Sequence, residues 1–151
     1  MFEKYLNSIV PDSYEIAQRA SATVRFQDLS GIRFEGAVTY RDLMSALLMS
    51  QRDLMYASVS KADKLRHCIK MFTILDAYID AQRKISANSA NEIVICCDNL
   101  KFAADYIIDN ASNEQKDELR LIYNKILNIA LQHHESATNI RHLVRDISAI
   151  R

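Results

Sequence analysis

Glycine and proline are almost missing from this chain. Among 151 residues the only ones are Pro11, Gly31 and Gly36, and nothing of either type follows residue 36. All-β and α/β folds need such residues at the turns between their elements, so their scarcity leaves all-α as the fold class with the fewest exceptions. Net charge is missing too. Nineteen basic and 19 acidic side chains cancel, so no global field draws the protein toward nucleic acid or an anionic membrane. Long apolar runs are absent: the longest, Ile93–Cys97, is far short of a membrane span. The residues from Met1 to Val10 lack the basic leader and apolar core of a secretion signal. Cysteine is represented by Cys68, Cys96 and Cys97. An odd number, with two adjacent in a helical pattern, predicts reduced thiols and a cytoplasmic location.

The scarcity of histidine bears on chemistry. His67, His133, His134 and His142 are the only ones. A di-iron carboxylate bundle needs Glu-x-x-His on two helices, and no such spacing occurs here. The three cysteines fall on or inside apolar helical stripes, where a small buried hydrophobe is the simpler role, so neither a metal nor another cofactor is expected. His133 and His134 sit near the end of an expected helix, where their interaction with its dipole accounts for them. No serine lies in a Gly-x-Ser-x-Gly turn, and two glycines cannot build a phosphate-cradling loop. Carboxylates are spread along helix surfaces beside Lys or Arg, as solvated faces require. The expectation is a protein that is not an enzyme.

What the chain does contain is a repeated start signal. Asp12–Glu15, Thr39–Asp42, Ser60–Asp63, Ser89–Glu92 and Ser112–Gln115 each place a capping side chain three residues before an acid or Gln. The first residue of such a pair accepts a bond from a free backbone N–H, and the second reaches back to the first. After each pair the apolar residues recur in steps of three and four. Tyr40, Leu43, Leu47, Leu54 and Ser58 form a seam over about 40–58, flanked by Met44, Leu48, Met55 and Val59. Leu65, Cys68, Phe72, Leu75 and Ile79 mark a helix over about 61–85. Ile93, Cys96, Leu100, Ala103 and Ile107 mark one over about 90–110, and Leu119, Ile122, Ile126, Ile129 and His133 one over about 113–135. Short joints between such helices predict an antiparallel up-down helical bundle of four main helices, with short N- and C-terminal helices added. Seven tyrosines are scattered among these stripes and read as packing residues, not as a base-stacking platform.

A length of 151 residues fits one domain, 1–151, with residues 1–36 as an arm and 37–151 as the bundle. In the arm, residues 2–9 read as a short helix ended by Pro11, and a second helix runs from Asp12 to about Thr23. From Thr23 to Gly36 two readings stand. Val24-Arg25-Phe26 and Ile32-Arg33-Phe34 alternate apolar with basic residues, which suits a small hairpin, and the same residues suit an irregular loop packed across the bundle. At the other end, residues 138–151 either prolong the preceding helix or turn back as a separate one. This segment places Ile140, Leu143, Val144 and Ile147 on one face, and that face is the candidate partner-binding site. Arg141, Arg145 and Arg151 make the segment locally basic, but it lacks the Trp or Phe and the dense Lys/Arg face of a membrane-surface helix.

Asn91-Glu92-Ile93, followed by Asn99-Leu100-Lys101-Phe102-Ala103-Ala104-Asp105-Tyr106-Ile107 and a polar joint at Asn110–Asn113, resembles the third main helix of the flagellar secretion chaperones. The resemblance covers the layout of residues 39–133. Glu92 and Asn99 stand further apart than in that family, and the glycines before the Glu are absent. The resemblance implies a small cytoplasmic helical bundle that holds a protein subunit before export. The leading expectation is therefore a non-enzymatic helical-bundle adaptor or chaperone whose protein partner is a helical or disordered segment. Two alternatives fit the same scaffold: a self-assembling coat or filament subunit, and an RNA-associated accessory protein using the Arg-bearing C-terminus. Nucleic acid is the less expected partner, and membrane insertion is not expected.

Overall fold

The computed structural model describes residues 13–33, 36–56, 60–133 and 137–150, with side chains for 14–33, 36–55, 60–133 and 143–150. Seven α-helices and no strand occur among the described residues: α1 Ser13–Ser30, α2 Tyr40–Tyr56, α3 Lys61–Ala81, α4 Ala87–Asn99, α5 Lys101–Asn110, α6 Asn113–Leu131 and α7 Ala137–Ala149. The fold is an all-α helical bundle.

Three of the expected start signals are made as the spacing requires. Thr39 Oγ1 accepts from the Asp42 N–H at 3.2 Å, and the Asp42 carboxylate accepts from the Thr39 N–H at 2.9 Å. Ser60 Oγ accepts from the Asp63 N–H at 3.3 Å. Ser112 and Gln115 close a complete reciprocal box at the head of α6. The fourth signal is displaced. Helix α4 starts at Ala87, and Ser86 Oγ accepts from the Ser89 N–H at 3.1 Å. Ser89 and Glu92 thus lie inside the helix, where Glu92 accepts from the Asn88 side-chain amide at 3.1 Å. A serine three residues upstream offered the same chemistry one turn earlier. Asp12, the short helix expected over residues 2–9, and Ser58 and Val59 of the α2 stripe fall outside the described residues.

The N-terminal region differs most from expectation. The helix expected to stop near Thr23 continues to Ser30, so residues 24–30 are neither hairpin nor loop. Ala22 and Phe26 are buried and Leu29 packs against the core, a helical spacing that the local apolar-basic alternation had masked. Gly31 then ends the helix: its N–H donates to the Gln27 carbonyl at 2.8 Å, and its φ of 70° is the left-handed conformation that glycine adopts without steric cost. Phe34, in the other half of the expected hairpin, lies outside the described residues. Helix α1 is therefore a full member of the bundle and not part of an arm of short helices.

Helix α3 is the hub. It touches α1, α2, α4, α5 and α6, and it buries Cys68, Met71, Phe72, Ile74, Leu75, Ala77, Tyr78 and Ile79. It ends at Ala81 and not near 85, because Gln82 turns extended and caps it: the Gln82 N–H donates to the Ile79 carbonyl at 3.2 Å. The helix expected over 90–110 is interrupted at Leu100, which has φ −92° and ψ 10° and separates α4 from α5. Helix α6 stops at Leu131, and the C-terminal segment is a separate helix, α7, packed on α6 and α4. The central stripe residues Leu47, Phe72, Leu100 and Ile126 are all buried, as their positions predict.

Candidate functional site

A concavity lined mainly by apolar side chains lies between α2 and the α4–α5 joint. Helix α2 turns Leu43, Ala46 and Leu47 into the core. Met44 and Leu48 stand on the edge of that stripe, and Leu48 is 60% exposed. Opposite them lie Cys96 and Leu100, which are buried, and Phe102, which is 44% exposed. Together these residues enclose a cleft of about 60 Å³, with the amides of Gln51 and Asn99 as its polar members. Among the described residues no charged side chain lines it. Met55, further along α2, is 75% exposed, and Ile95 on α4 is also partly open. The break at Leu100 separates the Phe102 helix from the Cys96 helix, so the two flank the cleft on independent axes.

Buried thiols and phenols under this surface are held in their neutral forms. Burial pushes the Cys96 thiol and the Tyr78 hydroxyl up to about 12, with the Glu92 charge adding to the effect on Tyr78. Tyr40 is raised by burial as well, and then by Cys96 and Glu92. A thiol in that state is a poor nucleophile at neutral pH. Cys97 is pushed up to about 12 by burial despite a hydrogen bond with Tyr123, and Tyr123 is raised by burial first. Cys68 is raised by burial. All three cysteines are free and buried.

Charged groups converge at one partly exposed place where α1, α3 and α6 meet. Asp76 of α3 pairs with Arg25 of α1 at 3.1 Å and with Lys125 of α6 at 2.9 Å, and Lys125 also pairs closely with Asp80. Burial lowers the Lys125 pKa, but the hydrogen bonds to Asp80 and Asp76 outweigh it and leave the ammonium raised above its ordinary value. Two cations and two anions balance, so the cluster ties three helices together with no unpaired group to act on a substrate. Among the described residues no three His, Cys, Asp or Glu side chains form a group that could hold a metal. No described helix is long and apolar enough to cross a membrane.

Two described residues of the C-terminal face turn inward. Leu143 is buried, Ile147 packs partly buried against the core, and Val144 on the helix flank is 47% exposed. The side chain of Ile140 is outside those described. Polar ties hold α7 in place: Lys101 pairs with Asp146 at 3.4 Å, and Arg120 donates to the Ile150 carbonyl at 2.7 Å. Leu143 and Ile147 can meet a partner only if α7 lifts. The cleft beside α2 was the site that sequence reasoning did not single out. Its signal was present in the apolar residues Met44, Leu48 and Met55, which flank the α2 seam and exceed what one buried stripe requires.

Compared with protein-family models, curated proteins and solved structures, the chain matches none.

Proposed function

We propose that this chain is a non-enzymatic adaptor or chaperone of the cytoplasm that binds an amphipathic helical segment of a protein partner, or a disordered segment that becomes helical on binding. The observation that carries this reading is the uncharged cleft between α2 and the α4–α5 joint, rimmed by the exposed Leu48 and Phe102. A partner helix recognised in a groove supplies apolar anchors three and four residues apart. Met44 and Leu48 present a matching spacing along α2. The cleft is shallow and its walls are Met, Leu and Phe, side chains suited to adapt to a partner. A place in an export system rests on the resemblance to the flagellar secretion chaperones alone. The C-terminal face of Ile140, Leu143, Val144 and Ile147 enters this reading as a cover that a partner displaces.

The test is to compare wild type with a Leu48→Asp, Phe102→Ser double variant in partner pull-downs, with light scattering on each protein before and after nuclease. The binding module predicts a monomer or dimer free of nucleic acid, and partners captured by wild type and lost from the variant. The same partners retained by the variant would move the site away from the cleft. A large ordered assembly that the variant disperses is the outcome of a coat or filament subunit, and nuclease-sensitive RNA that of an RNA-associated protein.

A further inference from the structure

A second concavity has the opposite chemistry. Between α1 and the joint that follows α3 lies a cleft of about 570 Å³, floored by Ile16, Ala20, Ala37 and Ala81 and bordered by Arg19, Arg83 and Lys84. Its polar, uncharged members are already committed. The Gln82 N–H caps α3, and its side-chain amide donates to the Tyr78 and Val38 carbonyls at 3.0 Å each. The Thr23 hydroxyl donates to the Arg19 carbonyl at 2.9 Å. The Tyr78 and Ile79 carbonyls in the last turn of α3 are thus satisfied without help from the two cations that follow it. Among the described residues, the side chains of Arg19, Arg83 and Lys84 make no hydrogen bond or ion pair, and no acid lines the cleft.

We infer that this cleft binds a short acidic peptide segment, with carboxylates on Arg19, Arg83 and Lys84 and aliphatic side chains on the Ile16–Ala20–Ala37–Ala81 floor. Among the described residues three like charges stand uncompensated around one concavity, and such a cluster raises the local concentration of anions. Guanidinium groups take carboxylates bidentately, and the lysine contributes a point charge. The floor separates a peptide from nucleic acid. A single strand needs aromatic faces for its bases along a basic track, and among the described residues no aromatic side chain lines this cleft. Small aliphatic residues offer instead a surface for Leu or Val side chains placed between the carboxylates. The inference stands apart from the uncharged cleft beside α2 and does not depend on it.

Fluorescence anisotropy with a labelled peptide of Glu-Glu-Leu repeats tests it on the full chain. The peptide should bind, its affinity should fall as salt rises, and the matching Gln-Gln-Leu peptide should not bind. Arg83 and Lys84 are exposed in a joint, so the Arg83→Glu, Lys84→Glu double variant should keep the wild-type circular dichroism. It should weaken the acidic peptide by about tenfold or more, the size that corresponds to about 1.4 kcal/mol. Arg19→Ala should weaken it less. Leu48→Asp should leave it unchanged, which separates this cleft from the one beside α2. Absence of binding, equal binding of the Gln peptide, indifference to the double variant, loss of binding in Leu48→Asp, or preference for an oligouridylate would each overturn the inference.

Discussion

Helices α3 and α7 both carry apolar residues at helical spacing, yet the bundle uses them in opposite ways. Helix α3 is buried on several sides, with Met71, Phe72, Ile74, Leu75, Ala77, Tyr78 and Ile79 all inaccessible. Helix α7 has the sharper division into an apolar and a polar face, and it is peripheral: Leu143 is buried while Val144, one position on, is open. A clean stripe marks a helix with neighbours on one side only, whereas α3, with five helices against it, spreads its buried residues over more than one stripe. The most regular amphipathic pattern in the chain was therefore a sign of the edge and not of the centre. The free energy of the fold should be concentrated accordingly around α3.

The largest expected effect is alkaline and arises from groups on α3, α4 and α6. Unfolded thiols lose their protons near 9.0, whereas folded Cys96 and Cys97 hold theirs to about 12. Above pH 9 the folded state then binds more protons than the unfolded one. The stability contributed by the buried neutral thiols is full below that pH and is lost as pH rises toward 12, at about 1.4 kcal/mol per pH unit for each thiol. Tyr78 and Tyr123 act in the same direction. Denaturant midpoints measured across this range should fall steeply, and a Cys96→Ala, Cys97→Ala variant should fall less. Equal slopes in the two proteins would show that the thiols are already exposed.

Truncation in the core comes next. Phe72 of α3 lies 5.7 Å, ring centre to ring centre, from Tyr123 of α6, and Phe72→Ala should cost about 3–5 kcal/mol in urea unfolding. Leu143→Ala on α7 should cost about 2 kcal/mol, the low end for a buried leucine, because the end of the chain can close over the gap. If the two losses are equal, α7 is as central as α3.

Removing residues 137–151 sharpens the contrast without measuring stability. Asp146 of α7 lies close enough to Cys97 and Tyr123 to raise both, and Asp146, Ala149 and Ile150 line the same small cavity as Tyr123. The shortened protein should remain folded, and its Cys97 should react faster with a thiol reagent while Cys68 on α3 stays slow. Terminal elements open more readily than the core. Fast labelling of Cys68 in the shortened protein would mean that α7 supports the whole core.

The smallest effect belongs to the joints. Ser112→Ala removes one half of the box at the head of α6 and should lower stability by about 1 kcal/mol. Ser86→Ala should cost a similar amount, and Ser89→Ala distinctly less, since Ser89 receives no cap bond at its own N-terminal position. A larger loss at Ser89 would place the start of α4 where the sequence spacing first suggested.

Much of this fold was legible in the sequence because helices are local. Three of the capping pairs are made as spaced, and the stripe through Ile93, Cys96, Leu100, Ala103 and Ile107 is buried throughout even though the backbone breaks at Leu100. The failures were at points where local patterns offered two equal solutions. Ser86 and Ser89 could both cap, and alternation at Val24–Phe26 imitated a strand because a single helical turn samples too few residues to reveal its period. The cleft beside α2 was legible only as an excess, in the apolar residues that flank the seam. That Leu48 and Phe102 stay uncovered could not be read from α2 or α5 separately.

By itself the sequence determined that the chain is helical, where most helices begin and which side chains fill the core. Those properties follow from hydrogen bonds and apolar spacing within about one turn to a few turns of helix. The tertiary structure alone decided that α3 is the hub, that α1 belongs to the bundle, that α7 turns Leu143 inward, and that one apolar cleft and one basic cleft are left open. Each of these depends on pairs far apart in the chain, such as Arg25 with Asp76, Lys125 with Asp80 and Phe72 with Tyr123. No periodicity records which distant stripe will meet another, because several arrangements bury the same apolar residues and only the assembled packing selects among them.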